Sequence, residues 1–386
     1  MAFKLKSFSH PDVLKQFQPA ILIRLLETSR LFFDMKGFVI PPPGTDDLDY
    51  LALAGILAEP DEDMPGDLVE ALHLISELGT DEFFDDLLHI AAESDVEVTD
   101  EMTAPDLAAR IWLKDPQLLE RKDREGLFDR RKSFDSFRAS DPQLVLNVDD
   151  LTMDVSALEM DLGSYFSDKK KGKGCRVIPR YAVAEVRFLV QHGQPCRREP
   201  SRKGAQSTCT FFRPEKTDVV VLDLTNRELR MNASSAPDLR KYRELFGQHL
   251  FGNPETFVYA EKYTLEPLRT HGEDSLRCRD VEGVDSVRVI QMDFDFGGAF
   301  ESVVTERAHD VFKALALRRA NIPEEPIIRK AVFKVKLQGE KKPRTVSVKA
   351  GNKAGYQRGE ESAIVENWLR ARGFILLGTK AYAEAA

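Results

Sequence analysis

The stretch Ala331-Val332-Phe333-Lys334-Val335-Lys336-Leu337, joined through Gly339-Glu340-Lys341-Lys342-Pro343-Arg344 to Thr345-Val346-Ser347-Val348-Lys349, decides the fold class. Its side chains alternate apolar with charged or polar, the period-two pattern of a strand with one face on a core. The connection carries glycine and proline, which is turn chemistry, so the two runs read as an antiparallel hairpin. An earlier pair has the same form: Val219-Val220-Val221-Leu222 and Leu229-Arg230-Met231 flank the polar loop Asp223-Leu224-Thr225-Asn226-Arg227. Residues 182–190 and 287–296 read as further strands. Helical spacing follows at 235–250, at 301–319 up to Pro323, and at 360–372, where Ile364, Val365, Trp368 and Leu369 share a face and Gly373 ends the run; residues 374–377 form a last strand. Hairpins separated by helices predict an α+β region with antiparallel sheet. The stretches 217–250 and 329–372 repeat the order hairpin-then-helix, which is common enough for coincidence to account for it.

Upstream the period is helical. Ser9 and Pro11 mark a helix start, Leu14, Phe17, Ile21, Leu22 and Leu25 follow, and Pro19 divides the run. Pro41-Pro42-Pro43-Gly44 stops it. Residues 46–57 read as a short helix ended by Pro60. Leu68, Leu72 and Ile75 mark a helix that stops at Gly79; Thr80 precedes another bearing Phe83, Phe84, Leu87 and Leu88. Thr103 and Asp106 fit a capping box before Leu107, Ile111 and Trp112. Residues 120–140 mix charges densely and read as an exposed helix or connector. A helix is expected over 149–166, with Leu151, Val155, Leu158, Met160 and Leu162 as its apolar positions.

Charge divides the chain. Residues 1–168 hold 36 acidic and 15 basic side chains (−21), and residues 169–386 hold 28 and 40 (+12). Within 51–100 stand 15 acidic residues and no Lys or Arg. The organisation predicted is an acidic all-helical domain over 1–168, a basic linker Lys169-Lys170-Lys171-Gly172-Lys173-Gly174, and a basic α+β domain over 175–386 with a subdivision near 300. No apolar run approaches the roughly 20 residues that span a bilayer. The opening residues lack a secretory h-region, and Cys175, Cys196, Cys209 and Cys278 make no disulfide framework, so a cytoplasmic location with reduced thiols and no membrane partner is expected.

The cations cluster in loops and hairpin tips: Lys169, Lys170, Lys171 and Lys173; Arg197, Arg198, Arg202 and Lys203; Lys341, Lys342 and Arg344; Lys349, Lys353 and Arg358. Such clusters contact phosphates by charge, while a charge run can equally be a solvated surface. Phe211, Phe212, Tyr356 and Trp368 lie near them and could stack bases if exposed; Phe212 and Trp368 sit in patterned apolar stretches and are expected in the core. Asp293 and Asp295 stand at i and i+2 of one strand, facing the same side, where paired carboxylates can hold Mg²⁺ or Mn²⁺; the alternative places both in solvent or against basic loops, with Phe294 and Phe296 packed inside. His192, Cys196 and Cys209 make an incomplete zinc spacing. Glu70-x-x-His73 and Asp86-x-x-His89 resemble half a di-iron set on helices too short for it. Asp218 with Glu228 and Arg230, or Glu185 with Arg187, lacks the lysine of a carboxylate-plus-lysine nuclease. No phosphate-binding glycine loop or nucleophile elbow occurs.

Three readings compete. The first is a non-enzymatic nucleic-acid-binding or regulatory component of a larger bacterial-type complex, without a cofactor, whose acidic half docks another protein subunit or masks the basic half. The second is a protein-assembly subunit that meets no nucleic acid. The third is a metal-dependent phosphodiesterase or nucleotidyl transferase using Asp293 and Asp295 with Mg²⁺ or Mn²⁺.

Overall fold

The computed structural model describes residues 8–45, 47–99, 102–144, 154–233, 235–357 and 362–376. The chain divides into two compact units, Met1–Leu127 and Phe128–Ala386.

The first unit is helical: α1 (Pro11–Leu14), α2 (Pro19–Glu27), α3 (Arg30–Met35), α4 (Tyr50–Ala58), α5 (Gly66–Leu78), a 3₁₀ turn leading into α6 (Phe84–Glu93), α7 (Ala104–Lys114) and α8 (Pro116–Arg130), which runs past the division. Prolines open α1, α2 and α8, where a missing N–H costs nothing. Asp49 caps α4 by accepting from the N–H groups of Leu51 and Ala52 at 3.1 and 2.9 Å. Thr103 caps α7 through the Asp106 N–H at 3.3 Å. Only this half of the capping box forms, because the Asp106 carboxylate turns to the Gln18 N–H (2.8 Å) and Arg110 Nε (2.9 Å), tying α7 to the start of α2. Leu22, Leu25, Phe33, Leu53, Leu72, Ile75, Leu87, Leu107 and Ile111 fill the core.

The second unit comprises β1 (Ser133–Ala139), α9 (Val155–Asp168), β2 (Cys175–Tyr181), β3 (Glu185–Gly193), β4 (Arg197–Lys203), β5 (Gln206–Phe212), β6 (Glu215–Asp223), β7 (Glu228–Asn232), α10 (Ala236–Phe251), β8 (Phe257–Tyr259), α11 (Glu266–Thr270), β9 (Val284–Asp295), β10 (Val303–Arg307), α12 (Val311–Leu317), β11 (Ile327–Leu337), β12 (Arg344–Lys349), β13 (Lys353–Gly355) and α13 (Ser362–Ala371). Among the described residues one sheet has 11 strands in the order β10-β9-β11-β12-β13-β1-β7-β6-β3-β2, with β8 paired to β1, and β4-β5 form a separate ribbon. The neighbouring pairs of the large sheet are antiparallel. The α+β expectation with antiparallel hairpins therefore holds.

One cross-strand row runs the width of the sheet: Thr305, Asp293, Lys330, Lys349, Lys353, Asp135, Met231, Val220, Phe188, Pro179. Directly opposed residues share a face, so this row shows how the sheet is covered. In its second part Met231, Val220 and Phe188 lie under Leu158, Phe166, Tyr242 and Phe246 of α9 and α10. In its first part the core lies on the reverse face, where Phe333, Val346, Val348 and Ala354 meet Val365, Trp368 and Leu369 of α13. The two helix layers thus cover opposite faces, on either side of β1.

Four expectations are corrected. The lysine run is not the boundary between compact units: residues 128–168 belong with the sheet, since β1 is an interior strand and α9 packs on it. Counted by these units the charge is −16 (27 acidic, 11 basic) over residues 1–127 and +7 (37 and 44) over 128–386. Residues 133–139 are strand, not connector; Phe134, Asp135, Ser136 and Phe137 are all buried, so both faces are covered and no alternation marks the strand. The helix expected over 301–319 is strand β10 followed by the short α12. Gly297 and Gly298, at φ +61° and +74°, turn the chain so that β-branched Val303, Val304 and Thr305 pair back on β9, and Asp310 caps α12. Phe212 lies on the ribbon and is 43% exposed, whereas Trp368 is fully buried as expected.

Candidate nucleic-acid interface

Lys330, Lys349 and Lys353 are neighbours across β11, β12 and β13 on the face that α11–α13 leave uncovered. Like charges directly opposed across strands repel. Asp135, the next residue in the row, accepts from Lys353 Nζ at 2.6 Å. Among the described residues neither Lys330 nor Lys349 has an ion-pair partner. These side chains line a groove of 680 Å³ together with Lys132, Lys342, Arg344, Thr345, Ser347 and Glu340. Glu340, the one carboxylate among the described lining residues, is held by Arg344, with Nε–Oε2 at 2.9 Å. Asp293 and Asp135 stand at the two ends of the lysine row, and Lys349 between them has only lysines opposite it; a cation so placed, beside hydroxyls, suits a phosphate.

Four of the sequence-predicted cations, Lys342, Arg344, Lys349 and Lys353, therefore meet in one place. Lys341 at the same hairpin tip is exposed and outside the lining. Arg358 lies outside the described residues. Lys132 and Lys330 are site residues that sequence reasoning missed. Lys330 carried a legible signal, since it stands in phase with Lys334 and Lys336 on β11; Lys132 carried none, because β1 was not legible.

A second cluster forms where α9 turns into β2. Lys169, Lys170 and Lys173 are exposed there. Lys171 is not available: its ammonium is 2.8 Å from both oxygens of Asp238 and lies over the Phe166 ring at 5.2 Å. The expected flexible linker is thus a pinned turn. Arg213, also unanticipated, donates through Nη1 to Lys170 O (2.9 Å) and Gln194 O (2.7 Å), fastening the turn to the root of the β4–β5 ribbon. The ribbon bears Arg197, Arg198, Arg202 and Lys203, all exposed, with Phe211 at 71% exposure.

The paired aspartates are already engaged. Asp293 Oδ1 accepts from Gln291 Nε2 at 2.8 Å and Thr305 Oγ1 at 2.9 Å. Asp295 accepts from the Gly297 N–H at 2.9 Å and has Arg329 at 3.6 Å. Phe294 is buried and Phe296 half exposed. Among the described residues no three His, Cys, Asp or Glu side chains are arranged to hold a metal ion. His73 and His89 are exposed, and Asp86 pairs with Lys122 at 2.7 Å.

Two buried polar networks support the sheet. Asp218 accepts from Tyr242 Oη at 2.9 Å and faces Lys216 Nζ at 2.5 Å and His192 Nε2 at 3.2 Å; the His192 ring stacks on Phe166 with centroids 3.9 Å apart. Burial pushes the Asp218 carboxyl up, but the bonds from His192 and Lys216 outweigh it and hold the group below its ordinary value. Burial likewise pushes the Tyr242 hydroxyl up, as does the Asp218 charge. Asp218 faces the α9–α10 core, whereas Glu185, Glu228 and Arg230 lie on the reverse face, so the nuclease-like set is never assembled. Arg230 Nη2 is 2.7 Å from Glu185 and 3.6 Å from Asp223, and its Nη1 is 3.7 Å from Glu366 of α13. Burial alone would lower its pKa; the three carboxylates raise it. This guanidinium links α13 to β7 across β1.

No protein-family model matches the chain, and no curated protein matches it. No described helix is long and apolar enough to cross a membrane.

Proposed function

We propose that the protein binds nucleic acid through its sugar–phosphate backbone, along the face that carries Lys330, Lys349 and Lys353. The observation that carries this reading is the register of those three lysines, of which, among the described residues, only Lys353 has a carboxylate partner. A row that repels itself weakens the fold unless an anion comes to lie over it. The role is binding without chemistry on the ligand, a reading supported by the prior engagement of the Asp293 and Asp295 carboxylates. Within a larger complex the acidic helical unit docks a cationic partner protein, for which its 15 carboxylates and absence of Lys and Arg across 51–100 are suited.

Fluorescence anisotropy of labelled duplex and single-stranded oligonucleotides with the full chain, between about 50 and about 200 mM salt, tests the reading. Six groove cations allow a log–log salt slope as steep as about −5. Absence of binding to either form at the lowest salt removes it. Protein assembly is the second reading, favoured by the exposed Phe296, Phe300, Val303, Val304 and Ile327 around the β9–β10 turn and the start of β11. Under that reading a discrete complex survives salt and nuclease treatment of the lysate.

A further inference from the structure

The β4–β5 ribbon has seven residues in each strand and pairs from Arg197 opposite Phe212 to Lys203 opposite Gln206. It continues the β3–β6 pair beyond the large sheet. The last rung is Gln194 N–H to Pro214 O at 2.8 Å, and Pro195 and Pro214, which have no donor, interrupt the ladder at the root. Beyond that point, among the described residues, β4 and β5 pair only with each other. All their side chains are exposed except that of Ser201, which is half-buried. A two-stranded hairpin is marginal in water without a face to pack on, and this one exposes Phe211 and Phe212 on its two sides.

The register sorts the ribbon into two faces. One carries Arg197, Glu199, Ser201 and Lys203 with Phe212, Thr210, Thr208 and Gln206; the other carries Arg198, Pro200 and Arg202 with Phe211, Cys209 and Ser207. Cations stand at root and tip on both faces, about 20 Å apart on the first (Arg197 to Lys203) and about 13 Å apart on the second (Arg198 to Arg202) at 3.3 Å per residue. Between them the first face presents the hydroxyls of Ser201, Thr208 and Thr210 and the carboxylate of Glu199, with the Gln206 amide opposite Lys203 at the tip, groups that bond base edges. The root is held by Arg213 beside Lys169, Lys170 and Lys173.

We propose that this ribbon enters the major groove of duplex DNA, with Ser201, Gln206, Thr208 and Thr210 toward the base edges and the root and tip cations on the phosphates. The inference rests on the nucleic-acid reading above and adds the form of the ligand and the groove. The B-form major groove, about 12 Å wide, admits a two-stranded ribbon. The A-form major groove of duplex RNA is too narrow for side chains to read, and a single strand has no groove.

The test compares duplex DNA, duplex RNA and single-stranded DNA of one sequence against the full chain and its R202A/K203A and K349Q variants. Both ribbon positions are exposed at the tip, so the fold does not depend on them. Guanine N7, which opens into the major groove, is probed with dimethyl sulfate in the DNA complex. Duplex DNA is expected to bind best, with guanine N7 protected. R202A/K203A should weaken duplex DNA about 60-fold at 0.1 M salt, two phosphate contacts at about 8-fold each, and remove the N7 protection. If K349Q weakens binding while R202A/K203A binds duplex DNA as the wild type does and N7 stays reactive, the ribbon inference fails and the nucleic-acid reading stands. If the wild type binds none of the three ligands, both fail.

Discussion

Lys349 has a lysine on each side, Lys330 on β11 and Lys353 on β13, each directly opposed. Opposed Cβ atoms stand roughly 5 Å apart. Two unit charges at that separation in water repel by about 0.8 kcal/mol, and the screening of 0.1 M salt, with a Debye length of about 10 Å, brings this to about 0.5 kcal/mol. Lys349→Gln removes the repulsion from Lys330 in full and that from Lys353 only in small part, because Asp135 neutralises Lys353, so the fold should gain about 0.5 kcal/mol, less where the long side chains already splay apart. The same change removes one phosphate contact. With a salt slope of about −0.9 per contact, affinity at 0.1 M salt should fall about 8-fold and the slope should become shallower by about 0.9. Urea denaturation and anisotropy titration read the two effects on one preparation, with Lys349→Arg as the charge-keeping control. A variant that is more stable and binds more weakly marks a residue kept for its ligand. Weaker binding together with lower stability would instead make Lys349 a structural residue and refute the reasoning, as would unchanged binding.

Asp135→Asn removes the carboxylate that neutralises Lys353 at 2.6 Å; it should cost about 1 kcal/mol in urea denaturation, since the pair is only partly buried, and raise nucleic-acid affinity several-fold. Asp218→Asn strips a buried carboxylate from Lys216, His192 and Tyr242 and should cost about 3–5 kcal/mol at neutral pH. Because its pKa is lowered in the fold, the stability Asp218 contributes is whole above its ordinary value of 3.8 and is lost as pH falls through the folded-state value; acid titration of the variant should therefore show a flatter decline below about pH 4 than the wild type. A Cβ at Gly193 would stand 2.2 Å from Lys171 O and 2.7 Å from Arg213 Cδ, so Gly193→Ala must displace the ribbon root; denaturation should show a loss of about 1–3 kcal/mol, and limited proteolysis should show earlier cleavage near residue 213.

Local chemistry made much of this molecule readable. The hairpin β11–β12 announces itself by alternation around a turn, and β6–β7 by the β-branched run Val219-Val220-Val221, buried on both faces, with a polar turn after it. The helices at 66–78, 104–114, 236–251 and 362–371 carry apolar residues at helical spacing. Interior β1 is opaque because, buried on both faces, it has no alternation and no β-branched run, and Phe134 and Phe137 stand at a helical interval. The helix assigned to 301–319 failed because Val303, Val304, Ala308 and Val311 happen to fit that spacing, while the two glycines that turn β9 back on β10 act through pairing with a partner strand.

By itself the sequence determined that the protein has an acid-rich helical part and a later α+β part with antiparallel hairpins and basic loops. Tertiary structure alone decided which cations act together. Lys330, Lys349 and Lys353 became adjacent through strand pairing, Lys132 joined them from the neighbourhood of β1, and Lys171 was withdrawn into an ion pair with Asp238. Charge is written residue by residue, but the field a ligand meets depends on distances between strands, and those are set when hydrophobic faces find their partners across the sheet.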